Sequence, residues 1–166
     1  MAIVLVTGMS GTGKSSALVE LARRGHRVVD TDYDGWTEDV PSSDGRASDR
    51  LWREDRIDEL LHEHDDGVLF VSGCVANQGK FYPQFDAVVL LSAPADVILR
   101  RVDARETNDH GKTDAQRDLI VHDLATVEPL LRAGATAEID TSAPLEEVVD
   151  ALERIAGTAA SPPARG

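Results

Sequence analysis

One segment near the start of the chain restricts the possible folds more than any other. Residues 8–15 read Gly-Met-Ser-Gly-Thr-Gly-Lys-Ser, which matches the pattern G-x-x-x-x-G-K-[S/T] at every position. A short apolar run at 3–6 precedes this segment, and apolar residues at helical spacing follow it. Glycines in such a turn let backbone N–H groups point inward around a phosphate chain, and the start of the following helix adds partial positive charge. The order of strand, glycine-rich turn and helix therefore predicts a phosphate-binding loop.

The same pattern predicts which side chains act in this loop. The Lys14 ammonium would reach the β- and γ-phosphates of a bound triphosphate, and the Ser15 hydroxyl would ligate Mg²⁺. We therefore predict that a nucleotide contacts the loop and the first turn of the helix behind it. The residues concerned are Ser10, Gly11, Thr12, Gly13, Lys14, Ser15 and Ser16.

Strands and helices alternate along the rest of the chain. Short apolar runs predict strands at 3–6, 27–30, 68–71, 87–91 and 137–139. Apolar spacing and capping residues predict helices at 14–24, at 51–63, from Pro94 to about Arg105, from Thr113 to a break at Pro129, and from Pro144 to 156. This alternation predicts an α/β fold, a five-stranded parallel sheet flanked by helices, in one domain over 1–156. The polar segment 33–50 is predicted to be a long loop on the substrate side, and 157–166 a disordered tail.

The composition excludes several classes of protein. The 166 residues are 42% hydrophobic and 28% charged, which fits a globular chain with a core and not a disordered chain. The formal net charge of −13 argues against sequence-independent binding to nucleic acid or anionic lipid. The single cysteine, Cys74, excludes an internal disulfide and a cysteine-based metal cluster. Because the sequence shows no membrane span or signal peptide, we expect a cytoplasmic protein without a nucleic-acid or membrane partner, its oligomeric state being left open.

Two carboxylates follow the second predicted strand. Asp30 and Asp32 are two residues apart, so their side chains point the same way from an extended chain. Ligands of parallel sheets bind beyond the carboxyl ends of the strands, which predicts that both carboxylates lie beside the phosphate-binding loop. One can hold a metal-bound water while the other accepts a proton from an attacking hydroxyl. The alternative is an ordinary solvated turn.

The chain resembles the small P-loop kinases, which include shikimate kinase, gluconate kinase and the nucleoside monophosphate kinases. The resemblance rests on residues 8–15, Asp30-Thr31-Asp32, Trp52-Arg53-Glu54 and Ser72-Gly73. It implies a P-loop NTPase fold with an adenylate-kinase-like lid at 100–115. It also implies ATP-dependent phosphoryl transfer to a hydroxyl or phosphate of a small anionic metabolite. The implied cofactors are ATP and Mg²⁺, and the implied partner is a small-molecule phosphate acceptor.

The resemblance implies roles for individual residues as well. Asp30 would lie near magnesium, and Asp32 would be the catalytic base or orienter for the acceptor hydroxyl. Arg53 would grip an anionic group of the acceptor, beside the turn at Gly73. For Arg53 the alternative is a helix-face arginine paired with a nearby carboxylate.

The predicted lid begins with two arginines on one helical face. Arg101 and Arg105 are four residues apart and precede the polar loop 106–112. By resemblance to the adenylate kinase lid, Arg101 would stack on the nucleotide base, and Arg105, a catalytic residue, would approach the transferred phosphoryl group. The turn at Ser142, after the last strand, would line the base. The alternatives are a solvated, ion-paired face for the arginines and a helix cap for Ser142.

The sequence also departs from shikimate kinases. Their triple-glycine turn after the third strand is replaced by Gly-Cys-Val-Ala-Asn at 73–77, and the Arg-Pro pair of their lid is missing, which argues against shikimate as the acceptor. The polar segment 77–82 either touches the acceptor or forms a plain surface loop. A nucleoside monophosphate kinase and a non-catalytic nucleotide-binding accessory protein remain as alternatives. The Asn-Lys-x-Asp motif of GTP switches does not occur in the sequence.

Overall fold

A parallel sheet lies at the centre of the molecule. The structure is a computed structural model, and it describes residues 1–41, 48–104 and 114–160. The strands are β1 (Ala2–Thr7), β2 (Arg27–Asp30), β3 (Thr37–Pro41), β4 (Ser48–Trp52), β5 (Val68–Ser72), β6 (Ala87–Ser92) and β7 (Ala137–Asp140). The helices are α1 (Lys14–Arg23), α2 (Glu54–Glu63), α3 (Ala95–Asp103), α4 (Asp114–Thr126), α5 (Glu128–Gly134) and α6 (Leu145–Ala160), and a 3-10 helix spans Gln78–Gln84.

Five of these strands form the sheet, in the order β2-β5-β1-β6-β7. Every neighbouring pair is parallel, and Val4 of β1 pairs with Phe70 on one side and Ala87 on the other. All six residues of β1 are buried, which explains why its sequence is a continuous apolar run without alternation. The predicted α/β fold with a five-stranded parallel sheet is confirmed. Because the strands are parallel, their carboxyl ends meet at one edge, where ligands of such sheets bind.

Helices pack on both faces of the sheet, and alternate residues of β1 serve the two resulting cores. Val4 and Val6 lie in a cluster with residues of α1 and α6, such as Leu21 and Leu152. Ile3 and Leu5 lie in a second cluster with the start of α2 and the 3-10 helix; its members include Trp52, Ile57 and Phe81. The side chains at the sheet edge are therefore held by two apolar layers.

The prediction of a long loop over 33–50 was wrong for part of that segment. β3 and β4 form an antiparallel pair in which Thr37 lies opposite Trp52. The predicted helix from residue 51 also begins later, at Glu54, because residues 51 and 52 belong to β4. This pair has little apolar alternation to reveal it, since most of β3 is exposed or half-exposed.

The C-terminal region differs from its prediction in one respect. Helix α6 continues to Ala160, so residues 157–160 are helical and not part of a disordered tail. The predicted break near Pro129 is present, because α4 ends at Thr126 and α5 starts at Glu128 with Pro129 in its first turn. The capping residue predicted at Thr113 lies outside the described residues. None of the helices in the described ranges has the length and apolar character needed to cross a bilayer.

Candidate functional site

The phosphate-binding loop joins the end of β1 to the start of α1, and two of its glycines are required by the backbone. A Cβ on Gly8 would lie 2.5 Å from the Leu91 carbonyl oxygen, so no larger residue fits against β6. Gly13 precedes α1 in a left-handed backbone conformation, with φ +92°, which residues other than glycine rarely adopt. The loop geometry is therefore a direct consequence of the glycine positions in the motif.

The two functional side chains of the motif already lie at the loop. The Lys14 Nζ donates to the carbonyl oxygens of Gly8, at 2.6 Å, and Met9, at 3.0 Å, so its charge lies over the mouth of the loop. The Ser15 hydroxyl donates to Asp30 Oδ2 at 3.0 Å. Ser15 and Asp30, predicted from separate parts of the sequence, are thus brought into direct contact.

The Asp30-Thr31-Asp32 segment is arranged by the middle residue. Thr31 is fully buried; its hydroxyl donates to the Ser72 carbonyl oxygen at 2.7 Å and accepts from Trp52 Nε1 at 2.9 Å. Asp30 and Asp32 are left on the outer side, and Asp30 Oδ1 accepts the Asp32 backbone N–H at 3.1 Å. The Ser15 hydroxyl and the Asp30 carboxylate are hard oxygen ligands of the kind Mg²⁺ prefers, so this pair fits a magnesium site.

The loop and Asp32 face one cleft of about 690 Å³. Its lining comprises Gly8, Met9, Ser10, Gly11, Gly13, Lys14, Ser15, Ser16, Asp32, Tyr33 and Cys74. The phosphate-binding loop and the exposed Asp32 carboxylate therefore face the same space. That arrangement suits a reaction between a phosphoryl group and a second molecule held on the Asp32 side.

A second cleft, of about 380 Å³, lies on the other side of the loop. It is lined by Gly11, Thr12, Gly13, Ser16, Arg101, Thr141, Ala143, Leu145 and Val148. Leu145 and Val148 are three residues apart on α6 and give this cleft an apolar wall. An apolar slot next to a phosphate loop suits a planar base, and the sequence analysis did not identify these two residues, although their position after the last strand was a usable signal.

Arg101 connects the loop to the turn after β7. Its guanidinium donates to the Gly11 carbonyl oxygen at 3.2 Å, to Thr141 Oγ1 at 2.9 Å, and to the Thr141 carbonyl oxygen. These contacts differ from the ion-paired surface face that was the alternative for this residue. Arg101 therefore forms part of the wall of the second cleft.

Ser142 lies beside the second cleft with its polar groups already bonded. Both its hydroxyl and its backbone N–H donate to Asp140 Oδ1, at 2.6 and 2.8 Å. These two hydrogen bonds, helped by the charge of Arg101, hold the pKa of Asp140 below its ordinary value. The neighbouring residues Thr141 and Ala143 line the cleft instead.

The Arg53 side chain lies near β3, away from the cleft where its predicted role would place it. Arg53 precedes α2, its side chain is about half exposed, and its guanidinium lies 3.8 Å from Glu38 Oε2 on β3. It is not among the residues that line the cleft at Asp32. The ion-pair alternative describes Arg53 better, with a partner on a strand that the sequence analysis did not predict.

Gly73 has a structural function in this region. A Cβ there would lie 2.4 Å from Thr31 Oγ1 and 3.1 Å from two atoms of the Trp52 ring. The Gly73 N–H donates to the Val6 carbonyl oxygen at 3.2 Å. Glycine at 73 therefore lets the Thr31–Trp52 hydrogen bond form beneath Asp32.

Asn77 and Gln78, in the segment after β5, also have a structural function. Asn77 is buried and bonds both backbone groups of Trp52, accepting from N at 2.8 Å and donating to O at 3.1 Å. Gln78 is buried and donates to Thr7 Oγ1 at 3.0 Å and to the Tyr82 hydroxyl at 2.9 Å. For Asn77 and Gln78 these contacts match neither a plain surface loop nor a surface that contacts the acceptor, because both side chains are buried and help to fix β4.

Two residues of the cleft were not identified from the sequence, although both follow strand ends. Tyr33 is 64% exposed and comes directly after Asp32. Cys74 is half-buried and follows Gly73. Burial raises the pKa of the Cys74 thiol, against the opposing effect of the Lys14 ammonium, so the thiol stays protonated at neutral pH. Arg105 and the polar loop 106–112 lie outside the described residues.

Sequence and structure comparisons agree with this architecture. The family model of the AAA domain matches residues 4–122, which is more than half of the chain. No protein with a curated description matches the sequence significantly. Among solved structures, shikimate kinase from Acinetobacter baumannii in complex with shikimate is similar, with a TM-score of 0.68, 18% identity, and coverage of 98% of this chain and 96% of that chain.

Two further solved structures are similar over nearly their whole length. Shikimate kinase from Bacteroides thetaiotaomicron has a TM-score of 0.57 and 18% identity, covering 93% of this chain and 97% of that chain. A sugar kinase from a Janibacter species has a TM-score of 0.57 and 19% identity, covering 98% and 99%. At these identities the likeness concerns the fold. The chain therefore belongs to the AAA domain family and has the fold of the small P-loop kinases.

Proposed function

We propose that this protein transfers the γ-phosphoryl group of ATP to a hydroxyl or phosphate group of a small metabolite. The observation that carries the proposal is the shared cleft, in which the phosphate-binding loop and the Asp32 carboxylate line one space. A motor-type ATPase, which needs a hydrophobic strand ending in an Asp-Glu pair, is a poorer fit, because β5 ends at Ser72 and is followed by Gly73. Donor and acceptor held side by side need no covalent step on the protein, only positioning and charge stabilisation.

Four side chains in or beside the cleft have a defined task in this proposal. Lys14, whose ammonium lies against the loop carbonyls, moves onto the β- and γ-phosphates and neutralises charge that develops during transfer. Asp32 accepts the proton of the acceptor hydroxyl or orients that hydroxyl for attack. Ser15 and Asp30 hold Mg²⁺, which supplies charge neutralisation on the phosphates when bound.

The second cleft holds the nucleotide base in this proposal. Leu145 and Val148 cover one face of the base, and the Arg101 guanidinium, held by Gly11 and Thr141, contacts it from the loop side. For Arg105 we retain the role implied by the resemblance to adenylate kinase. It approaches the phosphoryl group when a lid over 100–115 closes and excludes water.

An anionic acceptor is supported by Arg50 in place of Arg53. Arg50 lies on β4, exposed, with Nη2 3.5 Å from the Asp32 carbonyl oxygen and Nε 3.1 Å from Thr37 Oγ1. Arg50, like Arg53, is not among the residues that line the cleft, but its guanidinium lies next to Asp32, where it can pair with a carboxylate or phosphate of an acceptor held on that side. Arg53, paired with Glu38, is directed elsewhere.

A coupled assay of ADP release tests the proposal. The panel contains nucleoside monophosphates, shikimate, gluconate and related sugars and cyclitols, each with ATP and Mg²⁺. We expect one class to accelerate ADP release well above the rate without acceptor, and the Lys14→Ala variant to abolish the acceleration. ATP binding without transfer to any compound would support the accessory protein instead, and normal turnover by Lys14→Ala would contradict the kinase proposal.

A further inference from the structure

The acceptor side of the cleft depends on a short segment that we call the acceptor turn, residues 32–36. It starts at Asp32, continues through the exposed Tyr33, and ends where β3 begins. Tyr33 lines the same cleft as Lys14 and Asp32. An exposed aromatic ring beside a reacting carboxylate is a natural contact for a second substrate. The position of this ring is set by the backbone that follows it.

That backbone is in an unusual conformation. Asp34 has φ +65° and Gly35 has φ +77°, so two consecutive residues are left-handed. Glycine adopts this conformation without cost, whereas aspartate does so only at a cost that its surroundings must offset. The turn therefore needs external contacts to remain in the conformation that presents Tyr33 at the cleft.

Arg56 supplies those contacts from the first turns of α2. Its Nη1 donates to the carbonyl oxygens of Asp34, at 3.0 Å, and Gly35, at 2.8 Å. The guanidinium carbon lies 4.2 Å from the centre of the Trp36 ring, a cation–π distance. One side chain thus contacts three consecutive residues of the acceptor turn.

The residues on either side of this contact, Trp36 on the turn and Ile57 on α2, pack in the apolar core. Trp36 packs against the apolar cluster beneath α2, and its carbonyl oxygen accepts the Arg53 N–H at 2.8 Å. Ile57, the residue after Arg56, is fully buried in that cluster. The other end of the turn is bonded to the proposed metal ligand, because the Tyr33 N–H donates to the Asp30 carbonyl oxygen at 3.2 Å.

We infer that Arg56 is a positioning residue for the acceptor site: it holds the acceptor turn in its left-handed conformation and so fixes Tyr33 as a contact for the phosphate acceptor. The inference rests on the proposed phosphoryl transfer, but the geometry of the turn can be tested without any substrate. Lysine is only a partial substitute at this position, because its ammonium can donate to the two carbonyl oxygens but cannot stack on the Trp36 ring as the planar guanidinium does.

Amide hydrogen exchange measured by NMR tests the turn itself. In Arg56→Ala we expect the amides of Asp32 and Tyr33 to exchange roughly tenfold faster, while those of β5 and of α2 beyond its first turn keep their rates. Arg56→Lys should give an intermediate acceleration. The matched control is Arg23→Ala, an exposed arginine on α1 whose partner is Glu20. Unchanged exchange in Arg56→Ala, or acceleration throughout α2 with a lower melting temperature, would overturn the inference.

Kinetics test the consequence for the acceptor. The probe is the panel compound that gives the fastest ADP release with the wild-type protein. We expect Arg56→Ala to raise the KM for that compound about tenfold and to leave the KM for ATP within about twofold. Tyr33→Ala should reproduce this split, and Tyr33→Phe should retain most of the affinity because it keeps the ring.

The two levels of failure are distinguishable. If the wild-type protein phosphorylates no compound, the proposed function fails, and the exchange measurement alone decides whether Arg56 holds the turn. If transfer occurs but Arg56→Ala changes both KM values equally, or if Tyr33→Ala has no effect on the acceptor KM, the inference is wrong and the proposed function stands.

Discussion

The two sides of the main cleft are built in different ways. The phosphate side is one contiguous segment, residues 8–15, whose glycines and lysine set most of its geometry, with the β6 backbone packed against Gly8. The acceptor side is assembled from segments far apart in sequence, since Thr31, Trp52 and Gly73 meet beneath Asp32. A locally encoded site tolerates changes elsewhere in the chain, whereas an assembled site depends on the packing that brings its parts together.

Replacement of Lys14 is expected to have the largest effect, because it removes the charge of the locally encoded side. Lys14→Ala should lower kcat by roughly 10²–10³-fold or more, since the transferred phosphoryl group loses its positioned ammonium. ATP should still bind weakly, because the backbone N–H groups of the loop remain. Steady-state kinetics and calorimetric titration with ATP measure the two quantities, and a kcat within a few-fold of wild type would contradict the assignment.

Gly73 tests whether the acceptor side depends on packing. Gly73→Ala inserts a methyl group 2.4 Å from Thr31 Oγ1, and we expect a loss of about 1–3 kcal/mol in the free energy of unfolding, as is typical of overpacking. Gly79→Ala is the matched control, because a Cβ there meets no atom within 4 Å. Urea denaturation compares the two variants. Equal stabilities would mean that the Thr31–Trp52 contact adapts freely and that the acceptor side is less constrained than described.

Arg101 tests the link between the loop and the base cleft. Removing the guanidinium leaves the Gly11 and Thr141 carbonyl oxygens without this donor, so we expect Arg101→Ala to weaken ATP binding about tenfold, which corresponds to about 1.4 kcal/mol. Arg100→Ala is the control, because Arg100 is exposed and pairs with Asp96 on its own helix. Titration with ATP would contradict the assignment if the two variants bound equally well.

Cys74 offers the mildest probe of the shared cleft. Because burial raises its thiol pKa, its thiolate fraction at pH 8 is below that of free cysteine, whose pKa is about 8.5. Iodoacetamide should therefore modify it slowly, with a rate that keeps rising as the pH increases beyond 8.5. ATP with Mg²⁺ should slow the reaction a few-fold, since Cys74 lines the same cleft as the loop. Mass spectrometry measures the modification rate of the single cysteine. A rate that does not change with ATP would mean that the bound nucleotide does not cover Cys74.

The same contrast explains what sequence reasoning achieved. The sheet, its five strands and the phosphate loop were predictable, because apolar runs and the glycine motif are local signals. The β3–β4 pair was not, because its strands are short and largely polar, and they are held to the rest of the molecule by the buried Trp52 side chain and by Asn77, which is distant in sequence. The ion pair of Arg53 was not predictable for the same reason, since its partner Glu38 lies on that unpredicted pair.

The central claim is that donor and acceptor meet between the phosphate loop and Asp32. The most direct measurement compares kcat and the ATP dissociation constant for Asp32→Asn at saturating Mg²⁺, with Asp30→Asn alongside. Asp32→Asn keeps the shape of the side chain and removes its basicity, so we predict an unchanged dissociation constant for ATP and a kcat lower by roughly 10²-fold. An unchanged kcat would contradict the account, and a larger loss in Asp30→Asn would reverse the roles of the two carboxylates.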